Sequence, residues 1–292
     1  MKMKITAPAS DWKGFAKRIQ GESPSYFQGK TLKSEPICDA CVVHIEEGKP
    51  RSKMVEYASL VLADTILEHA EVSGEPVVLI INDLELFIQQ LDSFKTKDLV
   101  TVEYPFGKEG RVAMYDANHG VEYDFPSRQE ADMFQSLFLT PDADGNSRND
   151  DIDFLSDNIK YGPHVPEAHW QAKAEDFDGI TKDAQASKNA SILFDLDDHG
   201  LTLRYESVGS KMNIRRRIPI TWVQEPKTNI RKNYQYGVYM IPKFMKGVLD
   251  MYIFSNNTLL ISDGVMGVSI RQHIPDEDDE YYGGADDGTG EE

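Results

Sequence analysis

Four stretches of this chain repeat one phrase, a short amphipathic helix followed by strand-like runs joined by tight turns. Such a repeat restricts the architecture more than any local motif does. The clearest copy begins at Asn82, where Leu84, Phe87, Ile88 and Leu91 fall on one helical face. Asn82 or Asp83 is placed to cap that helix. Strand-like runs follow at Leu99 to Tyr104, Arg111 to Asp116 and Gly120 to Phe125, separated by glycine-containing turns. A copy from Lys173 has Phe177, Ile180 and Ala184 on one face, with Gly179 weakening it. Its strands are expected over Ser191 to Leu196, Leu201 to Glu206 and Lys211 to Pro219. A copy from Ile241 carries Phe244, Met245 and Val248, with Pro242 suited to a first turn. Its strands are expected over Met251 to Phe254, Thr258 to Ser262 and Val265 to Ile274. The first copy has Trp12, Phe15, Ala16 and Ile19 on its helix and Ser10 or Asp11 as cap, with strands somewhere in Ile37 to Leu67.

Strand-like runs at Val77 to Ile81 and Tyr236 to Ile241 precede the second and fourth helices. The grammar is therefore said twice, and it predicts an α+β chain of two similar domains, each with two helices and strands joined by tight turns. The expected divisions are residues 1–137, an acidic connector 138–167, a second domain 168–275 and an acidic tail 276–292. Gly21 to Lys33 and Glu225 to Tyr234 read as insertions.

The net charge of −18 argues against a nucleic-acid-binding role until it is located. The tail from Asp276 has nine acidic residues and no Lys or Arg, and Phe138 to Glu167 has seven against Arg148 and Lys160. Those two segments hold most of the excess, so a nearly balanced body remains free to present one basic face. No apolar run is long enough for a membrane span, and no signal-peptide pattern opens the chain. The expected location is the cytoplasm, nucleoid or host cytoplasm, or the nucleus in a eukaryote. Cys38 and Cys41 form a lone CxxC that cannot close a four-ligand zinc site, and Cys38, Val42 and His44 read as one face of a strand. No P-loop, GxGxxG or HExxH occurs, so neither an enzyme nor a cofactor or metal site is expected.

The phrases Lys173-Ala-Glu-Asp-Phe and Tyr239-Met-Ile-Pro-Lys-Phe-Met-Lys-Gly-Val resemble sliding clamps of the proliferating cell nuclear antigen type. So does the ending Ser269-Ile-Arg-Gln-His-Ile-Pro-Asp-Glu-Asp-Asp. The resemblance covers both repeats and implies two clamp domains, each with its two helices packed on antiparallel sheet. It implies a homotrimeric ring of six clamp domains, with helices lining a hole for duplex DNA and sheets forming the outer wall. It implies a processivity factor for DNA replication, with a DNA polymerase, a clamp loader and peptide-motif replication and repair proteins as partners.

A ring that slides must hold phosphates without reading bases, which Lys and Arg do electrostatically. The candidates are Lys13, Lys17 and Arg18 on the first helix, and Lys95 and Lys97 ending the second. Lys173, Lys182 and Lys188 flank the third, and Lys243 and Lys246 lie on the fourth. The same helices carry many acids, so the lining is expected to be weakly basic. Arg215, Arg216 and Arg217 read either as a charged outer sheet or as a DNA or neighbour contact. The family's peptide pocket maps onto Ile152, Phe154 and Leu155 of the connector and Ile270, Ile274 and Pro275 at the end. Ile152-Asp-Phe-Leu reads equally as an anchor pinning the connector to the body. A monomeric or heteromeric processivity factor of this fold, and an acidic protein that mimics DNA, are the alternatives.

Overall fold

The computed structural model describes residues 2–28, 31–55, 61–107, 111–123, 152–156, 158–206 and 213–272. The chain opens with β1 (Met3–Pro8), whose alternate residues Met3, Ile5 and Ala7 are buried. It runs directly into α1 (Ala9–Gln20), which buries Trp12, Phe15, Ala16 and Ile19 as the helical spacing predicts. The indole of Trp12 donates to the Val100 carbonyl at 3.2 Å and so ties the helix to the sheet beneath. Strands β2 (Ser23–Gln28) and β3 (Thr31–Glu35) form a hairpin. After them come β4 (Cys41–Glu46), β5 (Lys49–Val55), β6 (Val61–Ile66), β7 (Glu71–Gly74) and β8 (Leu79–Ile81). Helix α2 (Leu84–Leu91) is capped by Asp83, whose carboxylate accepts from the Leu86 N–H at 2.7 Å. Strands β9 (Leu99–Phe106), β10 (Arg111–Tyr115) and β11 (Gly120–Tyr123) complete the first half.

A short pair, β12 (Ile152–Asp153) and β13 (Lys160–Tyr161), lies between the halves. The second half repeats the first, with β14 (Pro166–Lys173), a 3-10 turn Ala174–Phe177 and α3 (Ile180–Ser187). It continues through β15 (Ile192–Asp197), β16 (Gly200–Glu206), β17 (Asn213–Ile218), β18 (Thr221–Gln224) and β19 (Ile230–Tyr234). A 3-10 turn Tyr236–Met240 then leads into α4 (Ile241–Phe244), β20 (Val248–Phe254), β21 (Leu259–Ser262) and β22 (Met266–Ile270).

Strand order shows the duplication directly. The first half has a five-stranded group β11-β10-β9-β1-β7 and a four-stranded group β6-β5-β4-β8. The second has the equivalent groups β22-β21-β20-β14-β18 and β17-β16-β15-β19. Strand β22 pairs antiparallel with β6, Met266 opposite Thr65 and Ile270 opposite Val61, which fuses one group from each half into a nine-stranded sheet. Each half has its own core. Trp12, Phe15, Phe87 and Val100 lie in the first, and Trp170, Phe177, Phe194 and Tyr234 in the second. Val61 and Ala63 of β6 belong to the second core, so the halves share their junction.

Several expectations are corrected. Helix α1 starts earlier than Ser10 or Asp11, with Pro8 at its cap and no side-chain cap bond. The third helix is split at Gly179, where a Cβ would lie 1.9 Å from the Arg216 guanidinium, so a larger residue would have to push that side chain aside. The fourth is a single turn. Met245, already extended, ends it, Gly247 turns the chain at φ 70°, and Val248 starts a strand rather than continuing the helical face. Tyr236–Met240 is a 3-10 turn, and the strand before the fourth helix is β19, within the segment read as an insertion. The other apparent insertion is the β2–β3 hairpin, whose strands lie against the 3-10 turn Tyr236–Met240 and against α3. Cys38 precedes β4 instead of sharing a face with Val42 and His44, and both it and Cys41 lie in the first core, where burial pushes the Cys41 thiol pKa up. The strand end at Phe125, the connector before Ile152 and the tail lie outside the described residues.

Candidate functional site

The helices of the two halves form one layer. Helix α1 packs on α2 and also touches α4, which in turn touches the 3-10 turn Ala174–Phe177. The buried stripe of α1 turns Ser10, Gly14 and Lys17 outward, with Lys13 and Arg18 on its flanks. Lys17 is exposed, and Lys13 is ion-paired to Asp92 beyond the end of α2. Arg18 is not a surface group. Its guanidinium donates to the Thr65 hydroxyl at 3.1 Å and the Ile66 carbonyl at 3.2 Å, and burial lowers its pKa. It pins α1 to β6, which corrects its expected place in the lining.

The outward face of α2 carries Glu85, Leu86 and Gln89 and no cation. Lys95 and Lys97 are exposed but follow the helix in the turn to β9. In the second half Lys182 is exposed on α3, and Lys188 is exposed just past its end, at φ 56°. Lys173 ends β14 and pairs with Glu175 at 3.5 Å. Lys243 on α4 pairs with Glu22, across the halves, and Lys246 is exposed in the turn to β20. The layer thus brings Lys13, Lys17, Lys182 and Lys243 onto helices and leaves the others at helix or strand ends.

On the opposite side of the nine-stranded sheet lies the end of the connector. Phe154 is fully buried between Phe254 and Leu260, with Leu62, Ile152, Ile159, Tyr161 and Tyr252 around it. Its backbone is held from both halves. The Phe154 N–H donates to Asp64 at 3.1 Å, and the Ser262 hydroxyl donates to the Phe154 carbonyl at 2.6 Å. Gly267 of β22 makes room for it, since a Cβ there would sit 2.3 Å from that of Phe154. Arg51 of β5 donates to Asp64 at 2.7 Å through Nε and to Asp153 at 2.7 Å. Burial alone would raise the Asp153 carboxyl, but Arg51 and the Leu155 N–H hold it below its ordinary range.

The expected exposure of Phe154 and Ile270 is corrected. Ile270 is buried against Gly237, and Phe154 is an anchor. Ile152 and Leu155 remain half-buried at the surface, while Ile274 and Pro275 lie outside the described residues. The sequence reading passed over Arg51, Lys53, Asp64, Ser262 and Gly267. The available signal was charge at alternate positions, Arg51 and Lys53 on one strand and Asp64 on the next with Lys53 directly opposite it, which demands a cover. That cover is the connector.

The arginine run divides as strand parity requires. Arg216 reaches back to Asp183 of α3 at 2.6 Å, and Arg215 and Arg217 point outward from the sheet. Among the described residues no group of three or more His, Cys, Asp or Glu is placed to hold a metal ion, and no helix is long and apolar enough to cross a membrane.

No protein-family profile matches the chain, and no curated protein matches it by sequence. Solved structures do match it. Archaeal PCNA from A. fulgidus, bound to the C-terminal region of FEN-1, aligns with a TM-score of 0.59 at 12% identity, over 94% of this chain and 100% of that one. PCNA from Entamoeba histolytica aligns with a TM-score of 0.60 at 10% identity, over 94% and 99%. The PCNA2–PCNA3 complex from Sulfolobus tokodaii gives 0.58 at 12% identity, over 94% and 99%. The chain has the fold of a PCNA-type sliding clamp.

Proposed function

We propose, from this fold and from its open strand edges, that the chain is one subunit of a ring that encircles duplex DNA and tethers replication enzymes to it, catalysing nothing itself. Strand order carries the reading. Within the chain, β22 and β6 pair as the outer strands of their groups. Their equivalents in the other two groups are β11 and β17, and among the described residues each of these has a single neighbour. An open edge is a template for another chain. Pairing β11 of one copy with β17 of the next repeats the internal junction between copies. Such a head-to-tail contact generates a closed ring when the rotation closes. Three copies are the number the resemblance implies.

The helix layer would then face the hole, and Lys17, Lys182, Lys188 and Lys246 would supply sequence-independent attraction to phosphates. Half-buried Ile152, clustered with Tyr161 and Tyr252, and half-buried Leu155 would receive partner peptides; A. fulgidus PCNA binds the C-terminal region of FEN-1. A mass measurement on the purified chain, with particle images, tests the ring, and retention on circular against linear DNA tests encirclement. A monomer at all concentrations, or equal retention on both DNAs, would overturn the reading. The S. tokodaii structure joins two different chains. A heteromeric ring is therefore the second reading, and it predicts a monomer that closes only when another chain is added.

A further inference from the structure

The junction within the chain sets a register for the one proposed between copies. The β10–β11 hairpin turns as the β21–β22 hairpin does. The Asp116 N–H donates to the His119 carbonyl at 2.9 Å, and the Asp263 N–H to that of Met266 at 3.1 Å. Gly120 therefore stands where Gly267 stands, and Glu122 where Ser269 stands. The other edges match as well. Counted from the turn pairs Glu46 with Lys49 and Asp197 with Gly200, Lys53 corresponds to Arg204, and their partners Asp64 and Arg215 correspond in turn. Within the chain Gly267 faces Asp64. Carried across, Gly120 of one copy faces Arg215 of the next, and Glu122 lies one diagonal from that arginine on the same outward face.

The two edges carry opposite charge. Val112 to Glu122 holds Asp116 and Glu122 and no Lys or Arg, whereas β17 holds Arg215, Arg216 and Arg217 and no acid. Arg215 and Glu122 are exposed, and Glu122 touches Arg111 at 3.6 Å through one carboxylate oxygen. Gly120 keeps the surface low, and a pocket of about 370 Å³ opens there, lined by Gly120, Ala113, Tyr115 and Glu122. Glu103, also in its wall, is already held by Lys2, Lys4 and Tyr115. Over Gly267 the matching space is taken by Phe154. Resting on the ring reading, we infer that Arg215 of one copy lies in this pocket of the next and pairs with its Glu122. Diagonal neighbours stand about 7–8 Å apart, within reach of a long side chain. Guanidinium and carboxylate match in shape as well as charge. The same charges oppose the two-fold alternatives. Pairing β17 with β17 would set one arginine strand on another, and pairing β11 with β11 would bring Glu122 towards Glu122. Repulsion at both leaves the head-to-tail contact, the one a ring needs.

The test is the mass distribution of the full chain over a range of concentration and salt. Self-association that weakens as salt is raised is expected. Arg215→Glu and Glu122→Arg should each weaken it at least about tenfold. The two changes in one chain reverse the pair without losing it, and should restore most of the association. Glu122→Arg with Arg217→Glu should not restore it. An unaltered chain that stays a monomer at all concentrations overturns the ring reading, and this inference with it. An unaltered chain that assembles, with either single reversal assembling equally well or with no recovery in the Arg215 double variant, overturns this inference and leaves the ring standing. Recovery with Arg217→Glu in place of Arg215→Glu overturns the register.

Discussion

In the first half α1 and α2 run twelve and eight residues and pack on each other, whereas in the second α3 runs eight and α4 four, each after a 3-10 turn. The sheets beneath have one strand order. Strand topology therefore sets the frame, and the helices need only bury a stripe on it. The second half completes its thinner layer with the β2–β3 hairpin, donated by the first. The outer faces differ in the same sense. Each half has an arginine–aspartate pair on its four-stranded group, Arg51 with Asp64 and Arg204 with Asp195. The connector covers the first pair, and nothing among the described residues covers the second.

That difference predicts the largest effect. Arg51→Ala leaves Asp64, fully buried, without its counter-ion, and should destabilise the chain by about 3–5 kcal/mol. Arg204→Ala removes a partly exposed pair and should cost no more than about 1 kcal/mol. Denaturant unfolding of the two variants measures the contrast, and equal losses would show that the connector does not bury the first pair.

Phe154→Ala comes next. It empties a fully buried aromatic site at the seam between halves, for an expected loss of about 3 kcal/mol. The connector should also lift, read as faster amide exchange at Ile152 and Leu155. A loss below about 1 kcal/mol would mean the seam closes without it.

Acid sharpens the same point with a smaller effect. The Asp153 carboxyl is held below its ordinary range, so its stabilisation is fully present above about pH 4 and is lost as pH falls through the lower folded value. Asp153→Asn should flatten the acid side of the stability profile. An unchanged profile would show that the Arg51 contact does not hold the connector.

Much of this was legible in the sequence. Leu84, Phe87, Ile88 and Leu91 gave α2 its face, and Asp83 its cap, because helix periodicity and capping are local. The doubled order of helices and strands came from the same local signals. What was hidden was non-local. Nothing in Ile152-Asp-Phe-Leu shows that Gly267, more than a hundred residues on, leaves room for Phe154. The 3-10 turn at Tyr236 and the single turn of α4 were missed because an apolar run with helical spacing does not state its own length, and the break falls at Met245, an ordinary helix former. Arg18 looked like its neighbour Lys17, and only the fold puts Thr65 and Ile66 beside one and solvent beside the other.

The smallest expected effect on stability asks the most about function. If the helix layer faces DNA, the two halves should contribute alike, for all the difference in their helices. On α1, Lys13 is tied to Asp92, and α2 offers no cation, which leaves Lys17 exposed on α1 and Lys95 and Lys97 exposed past the end of α2. The second half offers Lys182 on α3 and Lys188 and Lys246 past helix ends, with Lys243 tied to Glu22. All of the exposed ones lie at the surface, so reversal to Glu should change stability by only about 0.5 kcal/mol. Reversing Lys182, Lys188 and Lys246 together should then reduce DNA retention and its salt dependence about as much as reversing Lys17, Lys95 and Lys97 together, since each lost phosphate contact lowers the salt slope by about one. Retention on circular DNA at several salt concentrations measures both. A loss confined to one triple variant would mean that only that half meets the phosphates. Normal retention in both would mean that the helix layer does not face the duplex at all.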